Sequence, residues 1–157
     1  MTKQTDTDLL WLLGLFSEVG IINQLSTAEF QRVLAPDLNV SEYGVLNHFM
    51  RLGDNKTPSY LARVFQMTKP SMTAIIAKLQ SKGYVKITPG TEDRRQKFVH
   101  LTPAGRKAHG QAAANTAPLL SELLTLVDEK KLKALLPGLQ HLREVLDNHR
   151  NERDGLV

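Results

Sequence analysis

The chain has 157 residues, of which 41% are hydrophobic and 23% are charged, and it contains no cysteine. This length fits one compact domain or two small lobes that share a core. The absence of cysteine excludes disulfide scaffolds, thiolate zinc sites and cysteine nucleophiles. Nothing in the composition indicates an oxidising compartment.

The most apolar stretch near the start runs from Leu9 to Ile22 and is interrupted by Glu18. It is shorter than the ~20 apolar residues that a membrane span needs. The leader before it, Met1 to Asp8, has more acidic than basic residues, which is the wrong charge pattern for a secretory signal. We therefore expect a soluble, cytoplasmic protein.

The net charge of +4 is distributed unevenly along the chain. Between Lys56 and Lys107, eleven basic and two acidic residues give a net charge of +9. The remaining nine basic and fourteen acidic residues give −5. A basic middle segment between acidic arms indicates that the middle alone binds a polyanion.

Two helices are predicted before the basic segment. Asp8 to Leu34 is rich in leucine and isoleucine at helical spacing, and the residues Ala35 to Asn39 form a stop signal. Ser41 is the predicted N-cap of the second helix. The apolar residues of that helix cluster on one side: Val45, Leu46, Phe49 and Met50.

A helix-turn-helix is predicted next. Thr57 followed by Pro58 is a typical helix start, and the short helix it opens extends to Phe65. Thr68 begins a second helix, which Gly83 ends. The apolar residues of this second helix follow the i, i+3, i+4, i+7 spacing of an amphipathic stripe: Met72, Ile75, Ile76 and Leu79.

The apolar period then changes from helical to alternating, which predicts a β-hairpin with a polar tip between Pro89 and Gln96. Thr102 and Pro103 are expected to cap a further helix. The rest of the chain is leucine-rich and helical, and we expect Pro118 and Pro137 to kink or break its helices.

The second helix of a helix-turn-helix can enter the DNA major groove. If the apolar stripe faces the core, the opposite face presents small, hydroxylated and basic side chains: Lys69, Ser71, Thr73, Ala74 and Lys78. Hydroxyls can bond base edges and lysines can neutralise phosphates. The alternative is an ordinary solvated face.

The hairpin tip carries Arg94 and Arg95 beside Asp93. Arginine at such a tip suits the minor groove, where narrow A·T-rich DNA has a deep negative potential. A carboxylate two residues away can hold a guanidinium in one orientation. The alternative is a solubilising charged turn, which does not explain why the arginines follow a helix-turn-helix in a strongly basic segment.

The run from Thr57 to Lys107 resembles the winged helix-turn-helix of the MarR family of multiple antibiotic resistance regulators. The matching pieces are the run from Leu79 to Val85, then Asp93-Arg94-Arg95, then the run from Val99 to Arg106. The helix layout outside this run also fits. The resemblance implies a mainly α fold with a small β-hairpin wing.

The domains that this implies are an N-terminal dimerisation helix (1–40), a winged helix-turn-helix DNA-binding lobe (41–103) and C-terminal dimerisation helices (104–157). The leucine-rich arms support a dimer independently, because apolar stripes of this size usually mark a partner surface. The alternative is a self-contained helical core.

The resemblance implies that the chain is a homodimeric transcriptional regulator that binds a pseudo-palindromic operator in double-stranded DNA. Regulators of this family are more often repressors, so repression is expected. Arg95 would enter the minor groove and Asp93 would orient it. Ala74 and Gln80 depart from the family pattern and alter the expected base contacts. The full set of expected DNA-binding residues is Thr57, Ser59, Lys69, Ser71, Thr73, Lys78, Arg94 and Arg95.

The resemblance also implies a small aromatic or phenolic effector in a crevice between the dimer helices and the DNA-binding lobe. The candidate lining residues are Trp11, Phe16, Tyr43, His48 and Phe49. The alternative is that most of them pack in the core. No two of the five histidines are four residues apart, so neither a metal site nor another cofactor is expected.

Two other classes of function fit the sequence less well than a DNA-binding regulator does. A winged-helix adaptor could use the same surface to bind protein, and its binding would depend little on salt. An enzyme lacks support, because the sequence contains no Gly-rich phosphate loop and no nucleophile elbow around any serine.

Overall fold

The computed structural model describes residues 3–91 and 93–153, with the backbone alone for residues 3–8. The charge pattern of the leader Met1 to Asp8 therefore lies outside the described side chains. The described elements, in chain order, are α1 (Lys3–Val33), α2 (Val40–Leu52), α3 (Pro58–Val64), α4 (Lys69–Ser81), β1 (Val85–Pro89), β2 (Lys97–Leu101), α5 (Pro103–Leu126) and α6 (Glu129–Arg153). This order confirms the predicted helical fold with a hairpin wing.

The chain divides into two compact units, Met1–Ala117 and Pro118–Val157. The first unit contains the helix-turn-helix, the hairpin and the core that supports them. The second contains the last turns of α5 and the whole of α6.

Helix α2 begins one residue after Asn39, so the prediction that Ser41 caps it is wrong. The Asn39 side chain accepts a hydrogen bond from the Glu42 backbone N–H at 2.8 Å, and the Glu42 carboxylate accepts one from the Asn39 N–H at 3.3 Å. This reciprocal pair is a capping box, which satisfies two backbone donors at once. Ser41 has no carboxylate three residues later to complete such a pair, since the third residue after it is Gly44.

The predicted starts of α3 and α4 are confirmed. Thr57 and Thr68 have extended backbones, and each side chain accepts a hydrogen bond from a backbone N–H in the first turn of its helix. Helix α4 ends as predicted at Gly83, which has a φ of 72°. The Gly83 N–H donates to the Gln80 carbonyl and the Tyr84 N–H to the Leu79 carbonyl, which is the Schellman pattern.

The turn between α3 and α4 is made without glycine. Gln66 has a φ of 56°, a left-handed conformation that is uncommon outside glycine. The Met67 N–H donates to the Ala62 carbonyl at 2.9 Å and the Gln66 N–H to the Arg63 carbonyl at 3.2 Å. These bonds close α3 and let α4 begin three residues later.

One apolar core holds the helix-turn-helix against α2 and the hairpin. Met72, Ile76 and Leu79 of the predicted α4 stripe are buried, and Ile75 is partly buried against the same cluster. The other buried apolar residues are Leu34, Ala35, Leu38, Val45, Leu46, Phe49, Leu61, Ala62, Val85, Val99, Leu101 and Ala112. Burial of this stripe fixes which face of α4 points outward.

The hairpin is antiparallel, with Ile87 paired to Val99 and Val85 to Leu101. The sequence did not predict a further pairing, in which Lys56 forms an isolated bridge with Val99. The Asp54 carboxylate also accepts a hydrogen bond from the Leu101 N–H at 2.9 Å. The segment before α3 therefore anchors the wing to the helix-turn-helix.

The two C-terminal helices run through their prolines. Pro118 lies within α5 and Pro137 within α6, so the predicted breaks do not occur. Thr102 caps α5 as predicted, since its hydroxyl oxygen accepts a hydrogen bond from the Gly105 N–H at 3.0 Å.

Helix α1 is longer and more apolar than its first turns suggest. Its segment Leu9–Val33 has the length and composition to cross a membrane, and none of its most apolar window is buried in the chain. The prediction that the apolar stretch near the start is too short to cross a membrane is therefore wrong. One such helix is weak evidence for a membrane span, because an exposed apolar helix is equally typical of a subunit interface.

Gly105 provides a test of the contact between α5 and the wing. A Cβ built on Gly105 would lie 2.1 Å from the Tyr84 carbonyl oxygen and 2.8 Å from Leu101 Cδ1. We expect Gly105→Ala to lower the free energy of unfolding by about 1–3 kcal/mol, because such a contact forces the backbone apart.

The matched control is Gly110→Ala in the same helix, where a Cβ meets nothing within 4 Å. This variant should raise the free energy of unfolding by about 0.5–1 kcal/mol through helix propensity. Urea denaturation followed by circular dichroism measures both. Equal free energies of unfolding for Gly105→Ala and Gly110→Ala would contradict the close contact at Gly105.

Candidate nucleic-acid interface

The outward face of α4 is the one that the sequence predicted. Lys69, Ser71, Thr73, Ala74 and Lys78 are all exposed, on the side away from the buried stripe. Pro70 and Ala77 are exposed as well and were not singled out. The small side chains among them, such as those of Ser71, Ala74 and Ala77, let the helix backbone approach a flat surface closely.

Local hydrogen bonds fix the hydroxyl groups at the start of α4. The Thr68 and Ser71 hydroxyl oxygens lie 2.8 Å apart, and Thr68 Oγ1 also accepts from the Ser71 N–H. The Thr73 hydroxyl donates to the Lys69 carbonyl at 2.8 Å. The Ser71 and Thr73 oxygens each keep at least one lone pair that can accept a further hydrogen bond from a base edge.

The two residues predicted to bind DNA at the start of α3 differ in their exposure. Thr57 is half-buried, and its hydroxyl oxygen caps the helix by accepting from the Tyr60 N–H at 3.2 Å. Ser59 is exposed. Two basic side chains lie close by. Half-buried Lys56 and exposed Arg63 approach the Tyr60 ring, at 5.4 and 5.8 Å from its centre.

The wing tip presents Arg94 and Arg95 to solvent in a hydrogen-bonded turn. The Asp93 carboxylate accepts from the Arg95 backbone N–H at 2.8 Å, and the Gln96 N–H donates to the Asp93 carbonyl at 3.0 Å. Asp93 thus orients the backbone that carries Arg95. In the described structure it does not pair with the guanidinium, which was the expected contact.

The five predicted effector residues do not lie together in one described cavity. Trp11 is 64% exposed and Phe16 38% exposed on α1, whereas His48 and Phe49 are buried in the core. Tyr43 is half-buried and stacks on His109 of α5, with ring centres 5.2 Å apart. His109 in turn lies 3.2 Å from the side-chain oxygen of Asn47.

His48 occupies an aromatic box beneath α3. Phe49, Tyr60 and Phe65 surround its ring, with centres 5.7 to 6.2 Å away, and its buried Nε2 has no partner among the described residues. Burial lowers the pKa of His48 from its ordinary value of 6.5, and the positive charges of Lys56 and Arg51 lower it further. The imidazole is therefore neutral at pH 7.

No cluster of three or more His, Cys, Asp or Glu side chains that could hold a metal ion occurs in the part of the chain that the structure describes.

Sequence reasoning missed one group of side chains around the end of α4. The Lys82 ammonium lies 2.6 Å from the carboxylate of buried Glu42, and the Tyr84 hydroxyl donates to the Asp37 carboxylate. These residues are 40 and 47 positions apart in sequence. Only opposite charge could have indicated the pairing, and the chain has many acidic residues.

Comparison with known proteins identifies the family of the helix-turn-helix and wing. Residues 37–96, which include α2, α3, α4, β1 and the wing loop but not β2, match the model of the MarR family. Proteins of this family are transcription regulators and not enzymes, which confirms both the predicted resemblance and the expectation that the chain is not an enzyme.

Three known proteins illustrate the similarity. The transcriptional regulator BldR from Sulfolobus solfataricus is 27% identical, with a TM-score of 0.75 over 92% of this chain and 99% of that one. A mutant form of MarR from E. coli, complexed with operator DNA, is 24% identical, with a TM-score of 0.74 over 83% and 94%. The transcriptional activatory protein BadR from Rhodopseudomonas palustris is 23% identical over 85% of this chain and 76% of its own length.

The buried His48 makes stability depend on pH. Since the fold favours the neutral ring, the unfolded chain takes up a proton first as the pH falls below 6.5. The free energy of unfolding should then fall by up to about 1.4 kcal/mol per pH unit until the lowered pKa is reached.

His48→Phe, which keeps an aromatic ring in the box, should reduce this slope in urea denaturation series between pH 7.5 and 5. Part of the slope should remain, because burial also lowers the pKa of His109. Identical slopes for the wild type and the variant would show that His48 can be protonated freely in the fold.

Proposed function

We propose that this chain, a MarR-family transcriptional regulator, acts as a homodimer that binds a pseudo-palindromic operator and represses transcription until a small aromatic ligand releases it. The observation that carries the proposal is the α4 face. It is small, hydroxylated and basic, and the burial of the opposite stripe holds it outward.

The major groove is the proposed site for α4. Ser71 and Thr73 lie in its first two turns, where side chains of a recognition helix reach base edges. Lys69 and Lys78 are exposed on the same helix and would neutralise phosphates. Ser59 and the backbone around Thr57 would contact the DNA backbone from α3.

The minor groove is the proposed site for the wing. Arg95 would enter it, with Arg94 on the adjoining phosphates. The Asp93 carboxylate, by holding the Arg95 N–H, fixes the tip backbone in advance and reduces the entropy lost on insertion.

The proposed dimer accounts for apolar surface that the single chain leaves in water. Leu10, Trp11 and Leu13 of α1 are each more than 60% exposed, and α6 contains no buried residue. Helices from segments 1–40 and 104–157 of two copies would cover one another. The two copies of α4 would then be about one DNA turn apart, roughly 34–36 Å.

The effector proposal depends on this assembly. Trp11 and Phe16 are exposed in the single chain, and Tyr43 is half-buried. The exposed aromatic rings of α1 could line a ligand crevice once a second chain covers that helix. His48 and Phe49 are core residues and would support such a site from behind.

Repression is the proposed outcome, although the relative BadR is described as a transcriptional activatory protein. A dimer that occupies two turns of DNA blocks polymerase wherever its operator overlaps a promoter. Activation would need, in addition, a surface that recruits polymerase.

The function is tested by selecting bound fragments from random duplex DNA, which should recover a pseudo-palindrome. On the selected duplex, Arg95→Ala should weaken binding by about 1–3 kcal/mol in fluorescence anisotropy, because it removes a groove contact. Its melting temperature should not change, since Arg95 is exposed.

Lys107→Ala is the matched control, because it removes one exposed positive charge outside the proposed interface. It should weaken binding far less than Arg95→Ala. Recovery of no sequence, or binding insensitive to salt, would contradict the proposal and favour a protein-binding adaptor, since phosphate contacts release counterions.

The dimer is tested on α6. Leu139 is 42% exposed on the leucine-rich face of this helix. Leu139→Glu should produce monomers in sedimentation velocity, because it would bury an unpaired charge in the interface. Ala134→Glu places the same charge in the same helix, away from the leucine face, and should leave the dimer intact. Dimeric Leu139→Glu protein would exclude α6 from the interface.

A further inference from the structure

An ion pair between a buried carboxylate and a partly exposed lysine joins the start of α2 to the end of α4. Glu42, in the first turn of α2, is 1% exposed. Its Oε2 lies 2.6 Å from the Nζ of Lys82, the C-cap residue of α4. The same carboxylate completes the capping box with Asn39.

The turn between α1 and α2 shares this link. The Lys82 ammonium also donates to the Asp37 carbonyl, and the Tyr84 hydroxyl donates to the Asp37 carboxylate. On the other side of the turn, the Gln31 side chain donates to the Leu38 carbonyl at 3.2 Å and accepts from the Val40 N–H at 3.1 Å. Polar contacts therefore connect the last turns of α1 to the end of α4.

A capping box does not require a charge at Glu42, since glutamine makes the same backbone contact. A buried carboxylate is costly to desolvate, and a buried ion pair contributes little net stability compared with apolar packing. Its best-attested benefit is that it specifies one geometry. The charge at Glu42 is thus better explained by the placement of α4 than by the stability of α2.

Lys82 is poorly placed to bind the phosphates that α4 would contact. The proposed base-reading residues lie in the first turns of α4, and its 13 residues extend ~20 Å. Lys82 is at the far end, and its ammonium is already shared between the Glu42 carboxylate and the Asp37 carbonyl.

We propose that the Glu42–Lys82 ion pair is a positioning element that sets the angle of α4 against the α1–α2 turn, so that sequence-specific DNA binding depends on two residues that do not touch DNA. This inference rests on the proposed function. It also makes the α1–α2 turn the point at which a movement of α1 would reach α4.

The test compares Glu42→Gln, Lys82→Met and the double variant on two duplexes, the selected one and a scrambled one, in anisotropy titrations at several salt concentrations. Each single variant should bind the selected duplex at least tenfold more weakly and the scrambled duplex within threefold of the wild type. Lys107→Met is the charge-matched control and should leave the ratio of the two affinities unchanged.

The double variant separates positioning from folding. It leaves no unpaired buried charge, so its urea midpoint should lie above that of Lys82→Met. Its affinity for the selected duplex should nevertheless stay as low as that of the single variants. Recovery of wild-type affinity would overturn the proposal, because the pair would then serve stability alone.

Two other results would also overturn it. If Lys82→Met weakens both duplexes equally and lowers the salt slope by about one, Lys82 is a phosphate contact. If all variants keep the wild-type ratio of affinities, the pair does not position α4. Failure of the proposed function is distinct, since the wild type would then select no sequence at all.

Discussion

The burial of one side of α4 is the constraint on which the rest of the structure depends. Met72 and Leu79 are fully buried and Ile76 nearly so, which leaves the helix no freedom to rotate about its axis. The outward residues are therefore determined by the inward ones. A rotation of one residue, about 100°, would bring Thr73 or Lys78 into the core at the cost of an unpaired polar group.

Rotation is only one of the freedoms that a recognition helix must lose. Its tilt and its height depend on its ends. The start of α4 is held by the Thr68 cap and the short turn after α3, and its end by the Schellman bonds after Gly83. The Lys82 contacts tie that end to a different part of the chain, so α4 is anchored to the turn that follows α1 and not only to its neighbours in sequence.

Features set by neighbouring residues could be read from the sequence. The caps at Thr57 and Thr68, the glycine stop at Gly83 and the stripe on α4 each depend on residues within one or two turns, and the structure confirms them. The prediction of Ser41 as the cap of α2 is wrong although a local signal marks the true cap, since Asn39 is followed three residues later by the Glu42 carboxylate.

Features that join distant segments could not be read in this way. The Lys56–Val99 bridge and the Glu42–Lys82 pair each bring together residues about 40 positions apart, and nothing local marks either partner. The turn at Gln66 lacks the glycine that its positive φ would normally select, so no residue type in the sequence marks it. The exposed face of α4 could be predicted, because it lies opposite the apolar stripe.

Helix α1 presents a long apolar surface to solvent. Its segment Leu9–Val33 is apolar enough for a membrane, yet it ends at a turn whose polar groups bond to α1, α2 and the end of α4. Such a helix in water needs a cover. In the proposed dimer, a second copy of the chain would supply that cover and would bring a second α4 helix with it. The apolar surface of α1 would then be the reason that the proposed dimer reads two half-sites.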